Sequence, residues 1–595
     1  MLIAYDLETT NIAAGTPELL YLTAYGENVR VSIKIDGKKE NKLNLYKDIL
    51  EQHFLTEQNN GAQFIAWNAN RYDTYFTARA LLESDKWILQ PYLTASKALR
   101  GLRIKQKRTE DMPKKQKLLQ FEFLDGIAMT GVAASLGDKE EVQEDGSIKI
   151  KKGFLSTFAP DFPKIKGMNF DTGTVFNPNN KKHIEYAERD SEGLYYAMKK
   201  VEGIIKQLTN MELKPTVGNL AIRYFMENLP TDKEIKPPTG DLLKLLQGPV
   251  KRGGYCWATE QYHGPVWKYD INQAYAAAMR DAELPAGQSV HTNEYEPGKP
   301  GIYLATFNRK KLTKVPFYYK DDKGGKFTTG KKVKGWITSI EYEHLLKDGW
   351  NVNVITGFYW TDSFNMRPFV DKLETLRSTD PDGPSGPLGT MVKALGNNAY
   401  GKTLEQLWGN EFVFAKERPE GYDLFDPKDP DATFIYARIR KTFAKKYHLP
   451  QIGVFITAHV RCVVRGAAMV EESAFLYADT DCLAFSKPVP HIEIHPTHYG
   501  AWKQESAGDE YIIIGKKAYW SKDGAKAKGL VIKNLTKNDY LLWKKGKIPV
   551  QVQIQRQNLL KFLAGRDMFA PQERHGTDTA KSKTVKVLHG QFYPS

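Results

Sequence analysis

The stretch FLYADTDCLAF, residues 475–485, places two acids, Asp479 and Asp481, between two apolar runs. Apolar runs of this length predict two buried strands, and the polar residues between them predict the tip of a hairpin. Acids at such a tip form either a solvated turn or a metal site, and the apolar flanks fix their position. The hairpin therefore predicts a sheet whose edge can carry carboxylates for metal-assisted chemistry.

The start of the chain carries a second pair of acids, Asp6 and Glu8. Apolar residues alternate with them over residues 2–8, which predicts a strand. Residues i and i+2 of a strand project to one face, so the two carboxylates repel each other unless they face water or bind a cation. The segment is therefore either an exposed acidic edge or a second metal site.

The composition indicates a large globular protein with a polyanionic partner. The 595 residues suffice for roughly four domains, and 41% of them are hydrophobic. The net charge of +15 favours nucleic acid, although a basic surface also serves solubility. The three cysteines show no CxxC spacing, which excludes a cysteine zinc cluster and a disulfide framework and suits a reducing compartment.

The N-terminal residues and the hydropathy pattern favour a cytoplasmic protein. The opening MLIAYDLETT has no basic stretch and carries two acids, unlike a signal or transit peptide. No apolar run approaches the about 18 residues that a membrane span needs. We expect no targeting peptide and no membrane partner.

Two further acids complete a spaced set with the first pair. Asp73 follows the apolar run FIAW, and Tyr186 and Asp190 lie four residues apart on a helix predicted over 183–208, hence on one face. The resulting order is D-x-E, then N-x3-[FY]-D with Asn68 as its first residue, then Y-x3-D.

The second half of the chain offers two more motifs beside the hairpin. The strand VWKYDI places Asp270 just before a predicted helix, whose free N–H groups suit phosphate. Lys393, Asn397 and Tyr400 fall on one face of another predicted helix, either as nucleotide contacts or as the polar stripe of an ordinary amphipathic helix.

Together these motifs resemble those of the family B DNA polymerases. The first set resembles the proofreading 3′–5′ exonuclease domain, while YDINQAY (269–275), KALGNNAYG (393–401) and YADTD (477–481) resemble the three polymerase motifs. Two inserts, roughly 290–355 and 405–450, resemble the terminal-protein regions of the protein-primed subgroup found in bacteriophages and linear plasmids. A basic loop at 320–335 in the first insert is either a solvated hairpin tip or a contact with nucleic acid or protein.

The resemblance implies a multidomain protein of α/β and α+β class. An RNase H-like 3′–5′ exonuclease domain is followed by a palm, fingers and thumb. The implied boundaries are 1–210 for the exonuclease, 211–264 for a linker and the start of the palm, 265–300 for palm, 301–357 for the first insert, 358–407 for fingers, 408–450 for the second insert, 451–492 for palm and 493–595 for thumb.

The resemblance also implies roles in the exonuclease half. Asp6, Glu8, Asp73 and Asp190 would hold two metals, and Tyr186 would orient the attacking water. Contacts to the frayed single strand would come from Thr9, Asn68 and Tyr72. Asn70 is a weaker rival for the Asn68 position.

In the polymerase half, the resemblance assigns metal binding to Asp270, Ile271 and Asp481, with Asp479 as a further catalytic acid. Tyr275 would exclude the ribose hydroxyl, the alternative being a core tyrosine. The other nucleotide-binding residues would be Arg377, Lys393, Asn397 and Tyr400. DNA would be contacted by Gly253, Gly254, Thr457, Lys517 and Tyr519.

The implied cofactor is Mg²⁺, with Mn²⁺ as the alternative, at two ions per active site. The implied partners are primer-template DNA, deoxynucleoside triphosphates and a terminal priming protein, and the protein would be a monomer in the host cytoplasm if viral. Two other functions stay open, a primer-independent polymerase of the same family and an inactive DNA-binding replication factor. The sequence departs from the family motifs at Lys251, Ala274, Ala276, Asn398 and Cys482.

Overall fold

The structure is a computed structural model of the chain. It describes residues 1–589 apart from 94–97, 114, 143–147, 166–167, 169–174, 260, 322–323, 406–407, 432, 442–445, 532–534, 557–558 and 578–586.

The helices and strands alternate along the first 210 residues. They are β1 (Leu2–Thr9), β2 (Leu19–Gly26), β3 (Arg30–Lys34), α1 (Lys42–Ile49), β4 (Gln63–Ala66), α2 (Asp73–Leu81), β5 (Trp87–Leu93), β6 (Leu99–Gln106), β7 (Gln120–Asp125), α3 (Gly126–Thr130), β8 (Lys139–Val142), β9 (Ile148–Lys151), α4 (Phe154–Phe158) and α5 (Lys181–Thr209).

The middle of the chain contains α6 (Val217–Glu227), α7 (Gly240–Gln247), β10 (Tyr255–Ala258), β11 (Tyr262–Ile271), α8 (Ala274–Asp281), β12 (Leu284–Thr292), β13 (Gly301–Asn308), β14 (Phe317–Asp321), β15 (Gly324–Thr328), β16 (Val333–Thr338), α9 (Ser339–Lys347), β17 (Asn351–Phe364), α10 (Arg367–Ser378) and α11 (Pro387–Thr403). The remainder contains β18 (Trp408–Phe414), β19 (Asp423–Leu424), β20 (Ile435–Lys441), α12 (Pro450–Val470), β21 (Phe475–Thr480), β22 (Cys482–Phe485), β23 (Trp502–Gly515), β24 (Ala518–Ser521), β25 (Lys526–Ala527), α13 (Lys537–Lys544), β26 (Pro549–Arg556), α14 (Leu559–Leu563), β27 (Phe569–His575) and β28 (Val587–His589).

The N-terminal domain is a mixed sheet covered by helices. Its central strand β1 pairs antiparallel with β2 and parallel with β4, and β4 pairs parallel with β7. Helix α5 packs across β1 and β2. At this contact the Thr23 hydroxyl on β2 lies 3.1 Å from the Ala187 carbonyl oxygen and 2.6 Å from the Ser191 hydroxyl. The alternation over residues 2–8 and the helix expected over 183–208 are thus confirmed.

The second insert does not stand apart from this domain. Strands β18, β19 and β20 extend the N-terminal sheet through a contact between β18 and β5. The far C-terminal segment also reaches it, since Gly15 and Phe569 exchange backbone hydrogen bonds of 2.9 Å. Arg566 Nη2 lies 2.9 Å from Asp431 Oδ1, which links the C-terminal segment to the second insert.

The second large sheet has the strand order β10-β21-β22-β11-β23-β24-β25. Strands β21 and β22 form the hairpin expected around Asp479 and Asp481, and α12 precedes it. The sheet corrects the boundary of the thumb, because β23, β24 and β25 continue it as far as residue 527. Strand β23 pairs with β11, β24 pairs with β23, and β25 pairs with β24.

The first insert has its own sheet, of order β12-β17-β13-β16, with the hairpin β14–β15 beside it. Strand β12 was expected in the palm but pairs with β17 of the insert. The basic loop at 320–335 spans this hairpin and the start of β16, and its residues 322–323 lie outside the described residues.

Two helices, α10 and α11, form the segment expected as fingers. Helix α6 packs against α11, and its apolar face is buried in the shared core. Within the segment expected as linker and start of the palm, 211–264, α6 is therefore part of the core.

Among the described residues, α12 is the one helix long and apolar enough to cross a membrane by length and composition, and 72% of its most apolar window is buried inside the protein. Helix α12 packs against α8, α9 and α11.

Candidate active sites

The first acidic site lies where β1 meets the start of α2. Asp6 is half-buried and Glu8 is buried on β1, and Asp73 is the first residue of α2. Burial raises the pKa of Asp73 well above its usual value, and the negative charge of Asp6 raises it further. The structure thus brings Asp6 and Asp73 together.

The remaining residues of this site lie on α5. Asp190 is 3% exposed, and Tyr186 lies one turn before it. Lys164 approaches both, with its Nζ 2.8 Å from Asp190 Oδ2 and 4.8 Å from the Tyr186 ring centroid. Burial raises the pKa of Tyr186, as do the charges of Asp190 and, more weakly, Glu8.

The side chains expected to contact a single strand lie beside these acids. The Thr9 hydroxyl is 2.5 Å from the Tyr72 hydroxyl, which joins the end of β1 to the residue before Asp73. Asn68 is exposed, with a left-handed backbone at φ 63°. Its rival Asn70 is buried, and its backbone N–H donates to Asp125 Oδ2 at 3.1 Å.

The second acidic site is at the tip of the β21–β22 hairpin. Asp270, at the end of β11, pairs with Cys482 in the ladder, which sets Asp270 beside Asp481. The Ile271 N–H donates to the Asp481 carbonyl oxygen at 2.8 Å. The turn is tight because Thr480 adopts a left-handed backbone at φ 67°.

The electrostatics of this pair suit a divalent cation. Burial and then the charge of Asp481 raise the pKa of Asp270 to about 7. Burial likewise raises the pKa of Asp481. Two half-buried carboxylates, one of which has its pKa raised by the charge of the other, are stabilised by a positive charge between them.

Asp479 and Tyr519 lie beside this pair of acids and make other contacts. Asp479 Oδ1 lies 3.3 Å from Lys517 Nζ, and its Oδ2 accepts from the Tyr477 hydroxyl at 3.3 Å. Tyr519 is buried, with its ring 5.7 Å from that of Tyr477. Asp479 is therefore an ion-paired acid, and Tyr519 supports the sheet.

Two tyrosines stack above the second site. The rings of Tyr275 on α8 and Tyr400 on α11 are 4.1 Å apart at an angle of 10°. Lys393 and Asn397 are exposed on the same helix as Tyr400. Partial burial lowers the pKa of Lys393, and so does the nearby charge of Arg377 at the end of α10. The expected nucleotide contacts thus gather on one side of the acids.

A buried ion cluster holds the segment before β10. Glu341 of α9 pairs with Arg252 and lies 2.9 Å from Arg461 Nη2. Arg461 also donates to the carbonyl oxygens of Arg252 and Gly253. Gly254 lies so close to the hairpin tip that an added Cβ would be 2.8 Å from Thr480 Cγ2.

Thr457 requires a correction. It is 5% exposed, and its hydroxyl donates to the Val454 carbonyl oxygen of its own helix at 3.0 Å. A hydroxyl so enclosed lies in the core of α12, so the expected DNA contact at Thr457 is wrong.

The departures from the family motifs have local explanations. Asn398 Nδ2 donates to the Ala394 carbonyl oxygen of its own helix at 2.8 Å. Lys251 Nζ donates to the Leu404 carbonyl oxygen at the end of α11, at 2.9 Å. Cys482 is buried, and burial raises the pKa of its thiol.

Sequence reasoning missed several charged residues of these sites. Lys164 stands 26 positions before Asp190, and no periodicity marks it. Glu505 of β23 pairs with Lys268 at 2.6 Å, and its charge contributes to the raised pKa of Asp270. The only signal for Glu505 is its place in the alternating strand that pairs with β11.

Among the described side chains, no group of three or more carboxylates, histidines or cysteines lies close enough together to bind a metal ion. The carboxylates instead form close pairs, Asp6 with Asp73 and Asp270 with Asp481. The chemistry of these donor sets fits hard divalent cations, which prefer oxygen ligands.

A family model supports a common origin for this arrangement. The model of DNA polymerase type B, organellar and viral, matches residues 167–451. Among curated relatives, a probable DNA polymerase of Neurospora intermedia is 22% identical over 60% of this chain and 38% of its own length. The DNA polymerase of Bacillus phage phi29 is 22% identical over 51% of this chain and 54% of its own length. The chain thus spans about half or less of the length of these relatives.

Solved structures show the same fold. Phi29 DNA polymerase complexed with primer-template DNA and incoming nucleotides superposes with a TM-score of 0.68 at 15% identity, over 97% of this chain and 99% of that one. The same enzyme with single-stranded DNA gives a TM-score of 0.64 at 16% identity, over 91% and 94%. The fold is therefore an exonuclease domain followed by palm, fingers and thumb. Family model, relatives and fold agree that the chain is similar to the type B DNA polymerases of organellar and viral type.

Proposed function

We propose that the protein is a DNA-directed DNA polymerase with a 3′–5′ proofreading exonuclease. The observation that carries this proposal is the presence of two acidic sites on two sheets, the second of which has two stacked rings and two cations beside it. Those features are the stacked pair of Tyr275 and Tyr400 and the cations Arg377 and Lys393.

Divalent cations, Mg²⁺ or alternatively Mn²⁺, fit both sites. Asp6, Glu8, Asp73 and Asp190 would hold them in the exonuclease, and Asp270, Asp481 and the Ile271 carbonyl in the polymerase. When bound, such ions activate the attacking oxygen and stabilise the charge of the leaving group.

The side chains around Asp270 bind and orient the nucleotide. Arg377 and Lys393 supply fixed positive charge for the triphosphate, whose oxygens need it. Tyr275 lies five residues after Asp270, at the start of α8, and its ring would block the space that a ribose 2′-hydroxyl needs. Lys517, beside Asp479, is placed to contact the primer strand.

In the exonuclease, Tyr186 and Lys164 are the groups that act beside the carboxylates. The Tyr186 hydroxyl orients water toward the phosphate. Lys164 holds the Asp190 carboxylate in place and supplies a positive charge for the phosphate oxygens. Thr9, Asn68 and Tyr72 would grip the frayed strand.

The separation of the two sites is tested by paired variants. Asp270→Asn should abolish primer extension and spare degradation of single-stranded DNA, and Asp6→Asn with Glu8→Gln should do the converse. Both activities are measured on one preparation of each variant, with wild type as the reference. Extension by the Asp270 variant at near wild-type rate would remove the polymerase assignment.

We further propose that synthesis starts on a terminal protein. The two inserts, one with a sheet of its own and one added to the exonuclease sheet, support this mode. The partners would then be DNA, deoxynucleoside triphosphates and the priming protein, and the enzyme would act as a monomer in the cytoplasm, that of the host if viral.

Priming is tested on templates without a DNA primer. Nucleotide attachment to a terminal protein encoded beside this gene is expected, and template alone should give no product. Products from template and nucleotides alone would instead establish a primer-independent polymerase.

A further inference from the structure

The loop between β22 and β23 contacts the nucleotide side of the polymerase site. We call residues 495–501 the brace loop. Asn272, which follows the acidic end of β11, donates from Nδ2 to the His495 carbonyl oxygen at 2.7 Å and from its backbone to Ala501 at 3.0 Å. Gly500 N–H returns a bond to the Asn272 carbonyl oxygen at 2.8 Å. The loop is therefore fixed to the turn that carries the metal-binding acid.

The brace loop also ties two helices together at Tyr499. Its N–H donates to Glu374 Oε1 of α10 at 2.9 Å, and its carbonyl oxygen accepts from Arg280 Nη2 of α8 at 2.9 Å. His498 Nδ1 lies 2.8 Å from the same Glu374 oxygen. Helix α8 carries the stacked Tyr275, so one loop fixes both the sugar side and the triphosphate side of the site.

The Tyr499 side chain lies against Arg377. The ring centroid is 6.0 Å from the guanidinium carbon, within the range of a cation–π contact. Tyr499 is 2% exposed, so the ring is fixed. Arg377 Nε also donates to the Pro384 carbonyl oxygen at 3.2 Å, which holds one side of the guanidinium. The positive charges of Lys393 and Arg377 repel each other, and the charge of Arg377 accordingly lowers the pKa of Lys393.

We propose that Tyr499 is a positioning residue that holds the Arg377 guanidinium ready for the triphosphate of the incoming nucleotide. The proposal rests on the polymerase function proposed above. An arginine pushed away by a neighbouring lysine would otherwise sample many rotamers, and binding would have to order it. Because the ring does not touch the reacting atoms, its loss should raise KM for the nucleotide and leave kcat almost unchanged.

The test is a double-mutant cycle in single-nucleotide primer extension. Tyr499→Leu should raise KM for the deoxynucleotide roughly 3- to 30-fold, the range that a cation–π contact gives. In the Arg377→Ala background the same change should add little, because no cation remains to be held. The proposal would be overturned if KM in the double variant rose by the product of the increases in the two single variants.

Companion variants separate positioning from folding. Tyr499→Phe keeps the ring and should stay near the wild-type KM, whereas Tyr499→Met keeps the volume, loses the aromatic face and should behave like the Leu variant. Tyr342→Leu removes a stacked ring from the first insert and should leave KM unchanged. If wild type extends no primer, the proposed function fails; if wild type extends and Tyr499→Met keeps a normal KM, this inference fails.

Discussion

Tyr275 and Tyr400 come from helices more than a hundred residues apart, yet their rings lie almost parallel at 4.1 Å. The stack fixes the Tyr275 ring, which the small neighbours Ala274 and Ala276 could not brace by themselves. The ring position is thus decided by α11 as much as by the turn after Asp270.

Tyr275→Val should raise ribonucleotide incorporation by about tenfold or more, because the ring that excludes a 2′-hydroxyl is gone. Deoxynucleotide incorporation should fall less. Single-nucleotide kinetics with both sugars measures the ratio, and Tyr275→Phe, which keeps the ring, is the matched control. An unchanged ratio in the Val variant would make Tyr275 a core residue.

Lys164 contacts the first acidic site through Asp190 and Tyr186. Lys164→Ala should lower the rate of single-strand degradation roughly 10- to 100-fold, as loss of a group that orients a metal-binding carboxylate does. Primer extension should not change. Lys206→Ala, an exposed lysine on the far end of α5, is the control, and equal losses in both variants would argue against this role.

At the scale of elements, α9 of the first insert fixes the segment before β10 through Glu341. The Glu341 carboxylate is 1% exposed and pairs with Arg252 and Arg461. It therefore takes the place of water as the partner of two buried guanidinium groups. The insert therefore supports the polymerase site, although its sheet is separate from the palm sheet.

Glu341→Gln should destabilise the polymerase domain by about 3–5 kcal/mol, since it leaves two arginines buried without a counter-charge. Thermal unfolding measures this loss. Glu343→Gln changes an exposed acid on the same helix and should shift the midpoint little. A Glu341 variant as stable as wild type would mean that water reaches the cluster.

At the scale of the whole molecule, the N-terminal sheet, the second insert and the C-terminal segment meet. Phe569 bonds to Gly15 and its ring lies 6.2 Å from Tyr72, a candidate single-strand contact. The C-terminal segment thus packs beside the first acidic site.

Affinity for primer-template DNA should fall about 10³- to 10⁵-fold between 50 and 200 mM salt if 6–10 phosphates are contacted, because bound cations are released from DNA. Fluorescence anisotropy across a salt series gives the slope. Lys517→Ala should make that slope shallower by about one unit on duplex primer-template. A flat response in wild type would place the positive charge away from DNA.

The sequence by itself determined the motifs, the strand of Asp6 and Glu8, the helix α5, the hairpin of Asp479 and Asp481 and the class of fold. The strand, the helix and the hairpin are set by local periodicity within a few residues, which one sequence carries in full. The class of fold was implied by the resemblance of the motifs to those of a known family. The tertiary structure decided the rest: the palm sheet that continues to residue 527, the burial of Thr457, the pairing of Lys164 with Asp190 and the brace loop. Those features depend on contacts between segments distant in sequence, and no local pattern encodes which distant residue a side chain meets.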